Sequence, residues 1–474
     1  MYAKSLLKDV DVDQLAEAVL TILEKVGALY QSKEILTAIE NVGARVDYSR
    51  QVATFPREMV NGFLVALRKE TPAASGQDDG HRKFSAPGPG GLFHNLSQYY
   101  YDAEKMERRI GNQDDYIRMI KLGDVVHPKQ GVGHCLLLSD CPAPIEPLMV
   151  TLLQYEYAHR ARGAYVQDVR QVDYLMEMEE VCGIPDFHWL ANIGFSSPLR
   201  LGKDIADRWV YAMKLGRPIS LYVMTACGAG TPVTGAGCVA LASAELLANC
   251  IAGRALNPKG RIGCGVWIST MDMRTGETSY MAFDAMIRNF TVREFMQRWA
   301  GIPVSTGGGE YTPAKTPGLF AAMEKAYSAM IVAAFTGSHA GVGIGHLDGG
   351  LVISPEQFLL DREMANALRH LNPIEITPET ISLDAIQEVG HAEKTNYMET
   401  DNTLQHYRSA LWIPELLERL GWTGLKTEER VLGRARQKVN DLVASYKKPD
   451  VDEEKLAKMR QIVARARKEL CKES

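Results

Sequence analysis

Residues 218–268, PISLYVMTACGAGTPVTGAGCVALASAELLANCIAGRALNPKGRIGCGVWI, carry the pattern that decides the fold. Two short apolar runs, 218–224 and 261–268, enclose a segment at 233–253 whose length and composition predict a helix. A strand, a helix and a second strand in that order form a unit whose strands lie parallel. The alternation extends in both directions. Apolar runs at 132–138, 163–167, 190–195, 302–306 and 340–346 are separated by helical segments at 144–161, 171–182, 199–215, 280–299 and 316–336. Roughly seven or eight such units over about 250 residues predict an α/β fold, a (β/α)8 TIM barrel, over a doubly wound sheet. No GxGxxG opens a helix after the first strand, which disfavours dinucleotide binding.

Helical extensions flank the barrel. In 1–90, Val12, Leu15, Val19, Ile22, Leu23 and Val26 fall at helical spacing, as do Ile35, Leu36, Ile39 and Val42. Gly27 and Gly43 sit where C-caps belong, ARVDYSRQVATF (44–55) reads as a hairpin, and a third helix starts at Pro56. Residues 71–91 read as a linker. The expected organisation is a helical N-terminal cap over 1–90, the catalytic barrel over 91–375 and a charged helical extension over 376–474. The long C-terminal helices suggest a homo-oligomer.

Composition narrows the function. The 474 residues are 46% hydrophobic and carry a net charge of −5, which argues against a basic nucleic-acid or membrane binder. MYAKSLLKDVDVD lacks the apolar core of a signal peptide. The stretch nearest to a membrane span, Ala314 to Phe335, carries Lys315, Glu324 and Lys325. None of the eight cysteines forms a CxxC, so they read as buried thiols of a cytoplasmic enzyme.

Barrel chemistry sits on the loops after the strands. Four consecutive exits, TACGAGTPVTGAG, STMDMRTGE, TGGGEYTPAK and HLDGG, are rich in Gly, which lets backbone approach a ligand closely. GxxxxGK[ST] is absent and Glu310 would repel a phosphate. HExxH is absent too, so zinc would need Cys264, Asp272 and His346 to converge. No lysine opens any of these exits, which disfavours a Schiff base. Carboxylates (Asp272, Glu310, Asp348), His346 and aromatics (Trp267, Tyr311 and the 93–101 run) remain. Acidic groups with aromatic walls suit a cation, and a quaternary ammonium, having no N–H, depends on such walls. Asp272 could equally cap a turn, Trp267 could be barrel core, and Glu245 could be an ordinary helical carboxylate.

The ordered series TACGAGTPVTGAGCVALASAELLA, STMDMRTGETSY, GIPVSTGGGEYTPAKTPG, GHLDGGLVISPEQFLLDREM and TISLDAIQEVG…TLQHYRSALWIPELLERLGW resembles the trimethylamine/glycine betaine methyltransferase family, and YYYDAEKMERRIGNQDDY is similar to its segment leading into the barrel. The resemblance implies a barrel presenting a methylated amine to cob(I)alamin on a separate corrinoid protein. No DxHxxG cobalamin-ligand motif occurs in this chain, which agrees with a corrinoid on a partner. Only the twenty standard residues are present, whereas the branch acting on trimethylamine uses pyrrolysine. A quaternary amine expels a neutral tertiary amine and needs no such adduct. Glycine betaine is therefore the first expected substrate, followed by proline betaine, carnitine and γ-butyrobetaine. His346, Asp272 and Glu310 are the catalytic candidates, and Tyr99, Trp267, Glu245 and again His346 the substrate-binding ones; no bound metal is expected. The rivals are a zinc-dependent methyltransferase and a non-catalytic betaine-binding protein.

Overall fold

The parallel strands expected in the centre of the chain form, and their register fixes what faces inward. The computed structural model describes residues 5–70, 96–184, 192–217, 219–260, 262–307, 311–336, 342–368, 370, 374–391, 396–419, 421, 424 and 426–472. Asn192–Phe195, Ile219–Cys227, Ile262–Met271 and Ser305–Thr306 pair side by side in that order, all parallel. A second parallel arc joins Val352–Ile353 to Tyr99–Tyr100, Ser97 to Leu136, and Val132 to Ala161. The α/β class holds; among the described residues no ladder joins the two arcs.

Alternation sorts the side chains. Ile219, Leu221 and Val223, with Val266 and Ile268 beside them, are buried in one core with the helix Gly235–Leu256. That helix is apolar around most of its circumference because strands cover one side and the N-terminal helices the other. The opposite strand face carries Tyr222, Met224 and Trp267, all half-buried.

The N-terminal helices Asp9–Lys25 and Lys33–Asn41 end where Gly27 (φ +71°) and Gly43 (φ +108°) take left-handed backbone. The hairpin forms as Arg45–Asp47 against Val52–Thr54. This region packs onto the centre of the chain. Ala28–Tyr30 adds parallel to Arg200–Leu201, and its helices share their core with the central strands. Likewise Thr427–Ser445 and Glu453–Leu470 share a core with Gln113–Val126, Glu146–Tyr157 and Val172–Cys182.

Two sequence readings change. Of the strand expected at 340–346, residues 340 and 341 lie outside the described residues, and of the described ones His346 alone pairs, in His346–Leu347 antiparallel to Val352–Ile353, where Gly345 at φ +89° turns the chain. Two helices, Gly235–Leu256 and Leu319–Thr336, are also long and apolar enough to cross a membrane by length and composition. The second qualifies because Lys315 lies outside it, leaving Glu324 and Lys325 as its charged residues.

Candidate active site

The inner row of the first arc is built from glycines under aromatic rings. Register sets Gly194 beside Tyr222, Tyr222 beside Gly265, and Ser305 beside Gly265. A Cβ on Gly194 would lie 2.5 Å from the Tyr222 ring, and one on Gly265 2.5 Å from the Trp267 ring. A Cβ on Gly307 would overlap the indole Nε1 itself. Gly307, in an exit read as a place for ligand approach, thus also serves as a seat for a large side chain. Tyr222 and Trp267 meet edge to face at 6.2 Å. Gly307→Ala is therefore expected to push the indole from its seat, read as a shifted Trp emission spectrum with a lowered thermal midpoint. An unchanged spectrum would show that the seat tolerates a methyl.

Trp267 forms one wall of a small cavity closed by Tyr280, Tyr311, Phe290, Asn289 and Val332. Asn289 is already committed: its side chain accepts from the Ile268 N–H and donates to the Ile268 carbonyl. Tyr280 and Tyr311 meet with their rings tilted by 43° and centroids 5.0 Å apart, and the Tyr311 ring lies against Gly350. Burial pushes the Tyr280 phenol up, so it stays protonated at neutral pH. The water-accessible space is about 20 Å³, room for one or two waters. Among the described residues the walls carry no formal charge. Sequence reading missed Tyr280, Tyr222 and Phe290; the DMRTG turn was the available signal for Tyr280. That turn folds Thr278–Ser279 back on Thr270–Met271 and so returns Tyr280 toward Trp267.

Beside the cavity runs a chain of paired charges. Asp348, buried and in left-handed backbone (φ +54°), accepts from Arg108 at 2.6 Å and from Lys315. Lys315 also reaches Glu277 at 3.1 Å. The Arg108 guanidinium lies 4.7 Å above the Tyr99 ring, so that face of the expected wall already holds a cation. The Asp348 N–H donates to the Ala314 carbonyl and the Gly349 N–H to that of Thr312, tying both exits together. Beneath them Thr312 bonds to Glu324, a buried carboxyl pushed up by desolvation. Arg108, Lys315 and Glu324 were also missed, because each acts through partners distant in sequence.

The remaining candidates fall elsewhere. His346 is fully buried on its two-residue strand. Asp272 accepts from the Arg274 backbone and guanidinium within its own turn, which holds its pKa down to about 2. Glu310 lies outside the described residues. Cys264 faces Cys250 (Sγ–Sγ 3.4 Å), so it does not join Asp272 and His346. Among the described residues no three His, Cys, Asp or Glu side chains form a ligand cluster.

Glu245 is fully buried, and its carboxylate accepts from the Leu199 N–H at 2.6 Å and the Ser197 hydroxyl at 2.7 Å. It positions the turn after the Asn192–Phe195 strand. Burial raises its pKa from 4.5 to about 7, against the two hydrogen bonds. A raised carboxyl favours the fold below pH 4.5, and that contribution is lost as pH climbs through 7. Glu245→Gln should therefore match the wild-type thermal midpoint at pH 5 and exceed it at pH 8. The gap of about 2.5 pKa units sets an upper bound near 3 kcal/mol. Equal midpoints across the range would show that the carboxyl titrates normally.

Comparison with known proteins adds the family. The trimethylamine methyltransferase family model matches residues 3–471. A Methanosarcina mazei trimethylamine methyltransferase is 25% identical over 305 residues, 64% of this chain and 60% of its own. The matched stretch thus spans about 60% of that relative's length. A Desulfitobacterium hafniense glycine betaine methyltransferase is 21% identical, covering 99% of this chain and 98% of its own. The crystal structure of Methanosarcina barkeri monomethylamine methyltransferase aligns over 91% of this chain and 92% of its own, at 10% identity and a TM-score of 0.39.

Proposed function

We propose, since this chain belongs to the trimethylamine methyltransferase family, that it demethylates a quaternary amine, with glycine betaine the first substrate to test. Proline betaine, carnitine and γ-butyrobetaine come next. The methyl acceptor in this reading is the cobalt(I) corrinoid of a partner protein, which supplies the nucleophile. We take the two parallel arcs as parts of one (β/α)8 barrel in a cytoplasmic enzyme.

The observation that carries the reading is the aromatic cavity of Trp267, Tyr280, Tyr311 and Phe290, whose described walls carry no formal charge. Aromatic faces attract a cation that cannot donate a hydrogen bond, at about 0.5–2 kcal/mol each. The described carboxylates of the strand exits are engaged by Arg or Lys, so the amine's charge meets rings rather than free carboxylates. A trimethylammonium head exceeds the present cavity, so binding requires a wall to move. The substrate carboxylate would then turn toward Arg108 and Lys315, which exchange Asp348 for it. Trp267 remains the substrate wall. His346 acts as a positioning residue beneath the exit, Tyr99 acts through Arg108, and Glu245 acts through the 197–199 turn. Asp272 shapes the hairpin that delivers Tyr280, and Glu310 stays a candidate for negative potential.

The chain's part in the reaction is orientation and desolvation: one methyl is aimed outward while water is kept from the ammonium. Mixing the purified protein with cob(I)alamin and a panel of quaternary amines tests this. Methylation of cobalt, seen spectroscopically, is expected with at least one betaine. No methylation with any amine under fully reduced cobalt, or stoichiometric bound zinc, would sink the proposal.

A further inference from the structure

Two thiols meet where the long central helix touches its strand. Along Ile262–Met271 alternate side chains face the helix Gly235–Leu256, Val266 and Ile268 fully buried, Ile262 and Cys264 at the edge of the same core. Gly253 lets the helix approach, since a Cβ there would lie 3.0 Å from the Ile262 side chain. One turn earlier on the helix, the Cys250 sulfur comes within 3.4 Å of the Cys264 sulfur. Arg254 holds the turn between the two elements by donating to the carbonyls of Pro258 at 2.8 Å and Gly260 at 3.2 Å.

Access and position set this pair apart. Cys250 is buried and Cys264 half-buried beside the exposed Gly263, so a small solute reaches Cys264 first. Burial pushes Cys135 and Cys141 up to about 12 and Cys182 and Cys238 up to about 11, which keeps those thiols protonated and slow to react. Cys227 and Cys238 also adjoin, but both are closed off from solvent, and Cys227 donates to the Pro232 carbonyl at 3.3 Å. The Cys264 backbone in turn supports the aromatic wall. Its carbonyl accepts from the Ser305 hydroxyl at 3.1 Å, and Gly265 follows it directly. Gly265 and Gly307, the latter two positions beyond Ser305, are the seats of the Trp267 ring. A displacement at Cys264 therefore reaches the indole from both sides.

We propose that Cys250 and Cys264 form an oxidant-sensing dithiol, which a peroxide closes into a disulfide that displaces the seat of Trp267. What the displacement does to catalysis rests on the methyl-transfer reading above. The Cys264 thiolate attacks one peroxide oxygen, the O–O bond breaks, and the departing hydroxide takes up the thiol proton as water, leaving a sulfenic acid. The Cys250 sulfur then attacks the Cys264 sulfur, the S–O bond breaks, and a second water leaves with the Cys250 proton. Two electrons pass from the two sulfurs to the peroxide. Closing the bond draws the sulfurs from 3.4 Å to about 2.05 Å. Helix and strand already touch at Gly253, so the Cys264 backbone takes up the movement. Such a switch suits the proposed chemistry, because cobalt(I) persists only under strongly reducing conditions and the dithiol stays open under the same conditions.

Brief treatment of the full-length protein with hydrogen peroxide tests this, followed by peptide mapping under non-reducing conditions. The peptides carrying Cys250 and Cys264 should appear joined, lighter by two hydrogens, and should separate on adding dithiothreitol. The Trp emission spectrum should shift as the link forms and return on reduction. Both readouts are independent of methyl transfer, so a protein that methylates no cobalt would fail the reading above and leave this test intact. Cys264→Ser should give neither link nor shift, and Trp267→Phe should keep the link and lose the shift. Cys250→Ser, lacking the second thiol, should leave Cys264 as a sulfenic acid that dimedone captures. Links confined to other cysteines, or a Cys250–Cys264 link with an unchanged spectrum, overturn the proposal. So does a spectral shift that Cys264→Ser or Trp267→Phe retains.

Discussion

Lys325→Met is expected to destabilise the protein by about 3–5 kcal/mol, the cost of breaking a buried ion pair from one side. Lys325 and Asp361 are both fully buried, with Nζ 2.6 Å from Oδ2. Asp361 also accepts from the Gly345 N–H at 2.7 Å and from the Gln357 amide at 2.8 Å, and Gln357 in turn accepts from the Gly318 N–H. Burial pushes the Asp361 carboxyl up while Lys325 holds it down. Without the ammonium, the carboxylate would stand uncompensated or take up a proton. The network also anchors the chain where Gly345 leads directly into His346 and the Asp348 turn. Urea unfolding measures the loss. The double variant Lys325→Met/Asp361→Asn should recover part of it, since Asn carries no charge and still accepts from Gly345, although its amide nitrogen no longer accepts from Gln357. A single variant within 1 kcal/mol of wild type would mean that the pair contributes no net stability.

Trp267→Ala should lower kcat/KM for the quaternary amine at least 100-fold, equivalent to about 2.7 kcal/mol of transition-state binding. In the proposed reaction the indole would contribute an apolar wall and a cation-attracting face together. It rests on Gly265 and Gly307, which have no side chains to move into its place. Trp267→Phe keeps a ring and should stay within tenfold of wild type. Circular dichroism and the thermal midpoint separate a lost wall from a lost fold. Wild-type kinetics in Trp267→Ala would remove this cavity from the reaction.

Much of the architecture was legible in sequence because its signals are local. The apolar run at 218–224 and the long helix after it form as Ile219–Cys227 and Gly235–Leu256. Gly27 and Gly43 end helices because left-handed backbone costs glycine little. The site was less legible. Trp267 was singled out and lines the aromatic cavity, but Tyr280 was not, because its approach depends on a hairpin pairing Ser279 with Thr270. Asp348 looked like a free carboxylate in HLDGG, yet it is matched by Arg108, 240 residues earlier in the chain.

By itself the sequence determined what periodicity and backbone freedom control: the parallel strands, the helices between them, the glycine-rich exits and the family. Tertiary structure alone decided what those exits contain. Strand register set glycines under the Tyr222 and Trp267 rings, and loop packing brought Arg108 and Lys315 onto Asp348. The physical reason is range. Helices, turns and strands follow from neighbours a few residues apart, whereas pairing a charge or seating a ring depends on segments that only the completed fold brings together.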